Sequence, residues 1–396
     1  MVTENISNNI KKFYIFSFLR ELLFIIPVVV LFWQENGLSL TKIMILQAIY
    51  TLSIAIFEVP TGVFADKIGR KQSLTIGAFV LLIAAVVYSI GYNFWQFVIA
   101  EVVWGLGVTF ASGADSAFVY DTLKQLKKEH DFKKIWGHSK SLEYLAAGTA
   151  AIVGGFVATY SLRLNWVLVA VSMLLLFFVS LSFKEPKHYQ KLGRKNYWSH
   201  TIECFKESLT NKNLLFLLLF SSLLSTMWGI ALWFYQPYMN QSGLKIAYFG
   251  LVWASFSIFA ITGSKYAHKI EEKLKEKLSL WLIVLANILS LIFMSYWFII
   301  FGFIFIVMQQ FIRGFANPVL QDYTNKHLTS EKRATLLSIQ NLSGKLMFTI
   351  FGPLFGYFAD KFTLSTTLLI TGITFLFAFS LLMIWGKNGQ NLSKVH

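Results

Sequence analysis

The chain has 396 residues, of which 56% are hydrophobic and 14% charged. Soluble domains carry about 25% charged residues, so an ordinary soluble globular protein is excluded. A formal net charge of +15 would suit a polyanion-binding protein, but the charges follow membrane topology, and no nucleic-acid partner is expected. The single cysteine, Cys204, excludes an intrachain disulfide.

In chain order, apolar segments fall at 13–34, 40–63, 73–91, 95–121, 137–160, 164–183, 214–236, 246–264, 278–297, 299–322, 334–358 and 363–385. Each is long enough to cross about 30 Å of hydrocarbon at about 1.5 Å per residue. The first is too long for a cleavable secretory signal and lacks a small-residue cleavage site. The pattern predicts an all-α integral membrane protein of twelve spans in the lipid bilayer of the cell membrane, with both termini cytoplasmic. In that arrangement Lys and Arg concentrate on cytoplasmic segments. Lys42, Arg163, Lys245 and Lys361 lie outside, and Arg20, Arg313 and Lys345 fall within spans. Trp33, Trp95, Trp166, Trp233 and Trp297 fall at expected outer ends, where an amphipathic ring suits the headgroup level.

The second and third segments are joined by EVPTGVFADKIGRK, Glu58 to Lys71. Gly62 would let helix backbones approach closely, and Gly69 permits a tight turn. Asp66 stands where it can meet a helix N-terminus or pair with Arg70 and Lys71.

The longest connection, 184–212, divides the segments six and six. The expected organisation is a six-helix bundle over 1–183, a linker over 184–213 and a second bundle over 214–396. Trp198, Ile202, Phe205 and Leu209 recur at helical spacing in the linker, as in a short amphipathic helix on the inner leaflet. The two halves repeat: FADKIGRK at 64–71 returns as YAHKIEEK at 266–273, SAFVYD ending at Asp121 returns as NPVLQD ending at Asp322, and Gly154-Gly155 has its counterpart in Gly352-Pro353.

An ionisable residue inside a span costs a few kcal/mol, so it faces a cavity or a partner. The first half holds Arg20, Glu21, Glu58, Glu101, Asp115 and Glu143, and the second only Arg313 and Lys345. Arg20, Glu58, Asp115 and Glu143 each lie about six or seven residues, roughly 10 Å, from a cytoplasmic end, so groups at one level can meet. They would form either a structural ion pair or a proton-coupling site in which Asp115, or else Glu58, releases its arginine and binds a proton. In the second half Gln309, Arg313 and Asn317 recur every four residues, and Ser338, Asn341 and Lys345 at three and four, giving two polar stripes. Two cations without an acid in their own half suggest an anionic substrate, unless they pair with acids of the first half. Trp104, Trp228, Tyr235 and Trp253 are candidates for stacking on a flat organic molecule.

G-x-x-x-D-K-x-G-R-K, formed by Gly62, Asp66, Lys67, Gly69, Arg70 and Lys71, resembles the loop signature of the major facilitator superfamily, and the chain looks like a member from end to end. The resemblance implies two six-helix bundles in alternating access, a loop whose Asp locks one of the two states, and a cavity lined by spans 1, 4, 7 and 10. On that map Arg20, Glu21, Asp115 and Arg313 are cavity candidates, and Glu58, Glu143 and Lys345 lie nearer the interface of the bundles. Two stretches depart from the family's proton-driven drug exporters: Glu101-Val-Val-Trp104-Gly105-Leu-Gly107 replaces R-x-x-Q-G-x-G, and Ala150-Ala151-Ile-Val-Gly154-Gly155 replaces G-P-x-x-G-G. Glu58-Val-Pro60, Asp115 before Ala117, and Arg313-Gly314 followed by Pro318 are similar to the reduced-folate and thiamine carrier branch.

The expected function is secondary active transport of a small organic molecule by a monomer, without metal or cofactor, with protons as coupling ion and efflux ahead of uptake. The alternatives are an importer of an anionic or heteroaromatic metabolite and a ligand sensor that does not translocate. An enzyme is not expected, for the chain has no H-E-x-x-H, no histidine boxes, no phosphate-binding glycine loop and no paired cysteines.

Overall fold

The computed structural model describes residues 2–187, 211–326 and 330–387, and every regular element among them is helical. The expected amphipathic helix at 198–209 lies outside the described residues. The chain divides into two compact units: Met1–Leu192 with Lys245–Ala254, and Gly193–Leu244 with Ser255–His396.

The first unit contains α1 (Val2–Arg20), α2 (Val29–Glu35), α3 (Leu40–Ile68), α4 (Arg70–Ile90), α5 (Phe94–Ala111), α6 (Ala114–Gln125), α7 (Phe132–Val157) and α8 (Leu162–Leu181). Helix α4 packs between α5 and α8, α3 packs on α5, and α1 packs on α7 and α8. Small residues set the closest of these approaches: a Cβ on Gly77 would stand 3.0 Å from the Gly107 carbonyl oxygen across α4 and α5. Lys245–Ala254 group with this unit because Gly250 lies against α7, where a Cβ would collide with the Ala151 carbonyl oxygen.

The second unit contains α9 (Lys212–Gln241), most of α10 (Phe249–Tyr296), α11 (Phe303–Lys326), α12 (Ser330–Lys361) and α13 (Leu364–Lys387). Helix α9 packs on α11, α12 and α13. Gly263 and Gly314 bring α10 and α11 together, each facing a carbonyl oxygen of the other helix. Large apolar side chains such as Phe156, Val171, Phe377 and Ile384 are exposed, as a surface against acyl chains requires.

Eight described helical stretches are long and apolar enough to cross a membrane. The sequence pattern predicts twelve segments, and the difference has three sources. The first segment is split between α1 and α2; the eighth and ninth merge into one stretch, Ile246–Tyr296, bent at Lys275 with φ of 61°. The fifth and eleventh lie in α7 and α12, which are too polar to qualify on composition.

The tryptophan expectation is corrected for two residues. Trp95 and Trp297 are exposed, but Trp33 and Trp166 are buried inside the first unit. Trp166 lies flat on Tyr88 with ring centres 3.9 Å apart, so the partner ring within the bundle, not the headgroup layer, sets its position.

Candidate functional site

The site in the first unit is built on two interrupted helices. Helix α1 ends at Arg20, and residues 21–25 form an irregular stretch before a short turn at Ile26–Val28. Pro27 explains the interruption: it has no N–H to donate back to Leu23, and its ring would crowd that carbonyl. The exposed backbone is supported from neighbouring helices. With its amide turned to donate, buried Asn165 reaches the carbonyl oxygens of Phe24 and Gly154, each at 3.2 Å. A second break separates α5 from α6 at Ser112 and Gly113, where Gly113 takes φ of 73°, a left-handed conformation that glycine adopts without a Cβ penalty.

These breaks place opposite charges at suitable helix ends. Arg20 occupies the last turn of α1, where the carbonyl end favours a cation, and Asp115 the first turn of α6, where free N–H groups favour an anion. One Arg20 nitrogen donates to Asp115 Oδ2 at 3.1 Å and the other terminal nitrogen to Glu143 Oε1 at 2.8 Å. Asp115 Oδ1 accepts the Ser116 backbone N–H at 2.6 Å. Glu143 Oε2 accepts from Lys140 at 2.7 Å, and Glu21 stands 3.7 Å from Arg20 Nε. Two cations thus face three carboxylates, with the side chains of Arg20, Asp115 and Glu143 only 16%, 14% and 10% exposed. A discontinuous helix pair that turns its ends toward charged groups is a recurrent way of building ion sites at membrane depth.

Of the expected charge cluster, Arg20, Glu21, Asp115 and Glu143 come together. Lys140, at the cytoplasmic end of the fifth expected segment, belongs with them; in sequence it is indistinguishable from the basic cytoplasmic turn that precedes it. Glu58 does not join. It lies on an exposed face of α3 with Ile56 and Val59, turned away from the buried Arg20 cluster. Glu101 does not join either. It sits on α5 fourteen residues before Asp115, roughly 20 Å away along a helix, buried with Tyr88 and Gln47.

The loop between α3 and α4 is a one-residue hairpin at Gly69, whose φ is 121°. Asp66 pairs with Arg70 at 2.7 Å. The N-terminus of α4 is taken by Glu185, whose two oxygens accept the N–H groups of Arg70 and Lys71 at 2.7 and 2.9 Å. Gly69 leaves room for that carboxylate, since a Cβ there would stand 2.8 Å from it. The close-approach reading of Gly62 is corrected: its Cβ position is open space, with nothing within 4 Å. Lys67 and Lys71 remain at the ends of the two helices.

In the second unit, Gln309 and Tyr235 are buried and bonded, the phenol donating to Gln309 Oε1 at 2.6 Å, while Gln309 Nε2 donates to Ser290 at 3.2 Å. Arg313, Asn317, Asn341 and Lys345 are exposed. The Arg313 guanidinium lies 5.7 Å from the centre of the Trp228 ring, and the Trp228 indole N–H donates to Asn287 Oδ1 at 2.9 Å. Among the described residues Arg313 makes no ion pair with a carboxylate. Asn287 and Ser290 escape a reading of the sequence, because single polar residues in an apolar run do not announce their partners. No group of acidic, histidine or cysteine side chains suited to a metal ion occurs among the described residues.

Interrupted spans, intramembrane ion pairs and a one-residue basic hairpin define a polytopic membrane transporter. The chain belongs to the major facilitator superfamily, whose family model matches residues 13–351. It is similar to the uncharacterized MFS-type transporter YxaM of Bacillus subtilis, 23% identical over 392 residues, or 97% of each chain. It is also similar to the quinolone resistance protein NorA of Staphylococcus aureus, 23% identical over 169 residues, which cover 43% of this chain and 42% of that one. Among solved structures, that of the nucleoside transporter NupG superposes with a TM-score of 0.79 at 14% identity, covering 95% of this chain and 99% of the other. At that identity the likeness shows the fold. The family and the fold are those of transporters, and the protein is not an enzyme.

Proposed function

We propose that this chain is a secondary active transporter that exports a small organic molecule across the cell membrane by alternating access, with protons as coupling ion. It does so as a monomer of twelve spans with both termini cytoplasmic, divided into halves at 1–183 and 214–396 by the linker 184–213.

The observation that carries this reading is the Arg20 cluster. Fully ionised, Arg20 and Lys140 against Glu21, Asp115 and Glu143 leave one negative charge in excess inside an apolar slab. Taking up one proton neutralises the cluster, which makes it a natural proton acceptor. Asp115 is the proposed carrier. Glu143 is held by two cations, whereas Asp115 shares only Arg20 and a helix end, so its protonation frees α6 from the arginine while Glu143 still balances that charge. Export is supported by the similarity to NorA, whose name marks it as a resistance protein.

A thermal-stabilisation screen of the purified protein against drugs, vitamins, amino acids and organic anions at two pH values identifies a ligand for liposome assays. Asp115→Asn is expected to lose transport driven by a pH gradient while keeping counterflow of labelled ligand. An unchanged pH dependence removes Asp115 from the coupling.

Arg313 favours a second reading, import of an anionic or heteroaromatic metabolite. Its cation, with the pinned Trp228 ring beside it, suits a molecule bearing a carboxylate on an aromatic system. In the same screen this reading expects an anion that stabilises the wild type and fails with Arg313→Ala.

A further inference from the structure

Glu101 is a buried carboxylate of the first unit's spans that stands apart from the Arg20 cluster. It is 6% exposed, on α5, and a single oxygen, Oε1, accepts both the Tyr88 hydroxyl at 2.6 Å and the Gln47 amide at 3.0 Å. Both donors are fixed in place. Tyr88 is buried with its ring between Trp166, 3.9 Å away and nearly parallel, and Phe97 at 5.5 Å, and Gln47 is 5% exposed on α3.

No cation answers this carboxylate among the described residues. The titratable groups that face it are the phenols of Tyr88 on α4 and Tyr50 on α3, and the remaining neighbours are Gln47 and the aromatic rings around Tyr88, Trp33 on α2 and Trp166 on α8. Arg163, the cation at the same end of the unit, is already engaged by the carbonyl oxygens of Ser89 and Gly91 and by Asn36, and lies over Tyr92. An ionised carboxylate in an apolar interior needs a cation or several donors, and two donors on one oxygen leave the other oxygen's charge unanswered. A neutral acid fits the same geometry: Oε1 is the carbonyl oxygen that accepts both bonds, and Oε2 carries the proton.

We propose that Glu101 is a second proton-binding site, separate from the Arg20 cluster, occupied in this conformation and exchanging its proton with water when the helices around it part. On release, the O–H bond of Oε2 breaks, the proton goes to water, and Tyr88 and Gln47 remain to hold the anion. The two acids divide the work by chemistry: Asp115 trades a proton against an arginine, and Glu101 trades one against phenol and amide donors alone. This site stands whether or not Asp115 couples transport, because the measurement below requires no substrate.

Infrared spectra of the purified protein in phospholipid nanodiscs, taken from mildly acidic to alkaline pH in water and in D2O, test it. The expected result is a C=O stretching band of a protonated carboxylic acid that shifts in D2O, fades reversibly as pH rises and is lost in Glu101→Gln. Tyr88→Phe removes one hydrogen bond to the carbonyl oxygen and is expected to move the band to higher frequency, which keeps the test available should Glu101→Gln fail to fold. Superimposable spectra of wild type and Glu101→Gln, a band indifferent to both pH and D2O, or a band unmoved by Tyr88→Phe would overturn the proposal.

Discussion

The carboxylate of Glu185 accepts the backbone N–H of Arg70 at 2.7 Å, and its second oxygen takes that of Lys71. A residue at the far end of the first unit's chain thereby caps the start of α4, satisfying two of the N–H groups that a helix N-terminus leaves free. Losing such a cap costs about 1 kcal/mol. Glu185→Ala is expected to lower the thermal midpoint by a few degrees and to speed tryptic cleavage at Lys187, which Glu185 and the Gln125–Lys187 bond tie down. Limited proteolysis with scanning fluorimetry checks both.

Arg20 bridges carboxylates on two helices, so removing it strands Asp115 and leaves Glu143 with Lys140 alone. Breaking a buried pair by deleting one partner costs about 3–5 kcal/mol, while removing the charges together costs much less. Arg20→Met alone is expected to reduce the yield of monodisperse protein severely, and Arg20→Met with Asp115→Asn and Glu143→Gln to recover most of it. Size-exclusion profiles of fluorescent fusions give the comparison.

Gly154 carries the break in the first span. A Cβ there would collide with the Phe24 carbonyl oxygen, which is backbone and cannot rotate away. Gly154→Ala is expected to lose folded protein, whereas Gly148→Ala on the same helix, with nothing within 4 Å, is expected to be neutral. The same size-exclusion assay distinguishes them.

Asn287 pins the Trp228 indole beside Arg313. Asn287→Ala leaves the indole N–H without that acceptor and frees the ring. The expected readout is a changed emission from Trp228, measured against a Trp228→Phe control, together with weaker stabilisation by whatever anion Arg313 selects.

How much of this is legible in the sequence depends on whether a residue's chemistry or its backbone matters. The meeting of Arg20, Asp115 and Glu143 can be anticipated, because charges in apolar runs must find partners and the distance from a helix end estimates depth. The interruptions that bring them together cannot be read from hydropathy, since residues 22–26 are as apolar as an unbroken helix would be; Pro27 and Ser112-Gly113 are the available signals. Glu58 and Glu101 look equivalent to Asp115 as intramembrane acids, and only their height and rotation on the helices separate them. Tyr88 and Glu185 act through partners distant in sequence, and nothing in their local context reports it.

Gly69 is the whole of the connection between α3 and α4. With no slack at that joint, neither helix has freedom to slide or tilt there by itself, and a displacement of one is handed to the other as through an elbow. The pair therefore swings as one lever arm, and the stiffness of its pivot is set by two carboxylates on the first turn of α4, Glu185 on its backbone and Asp66 on the Arg70 side chain.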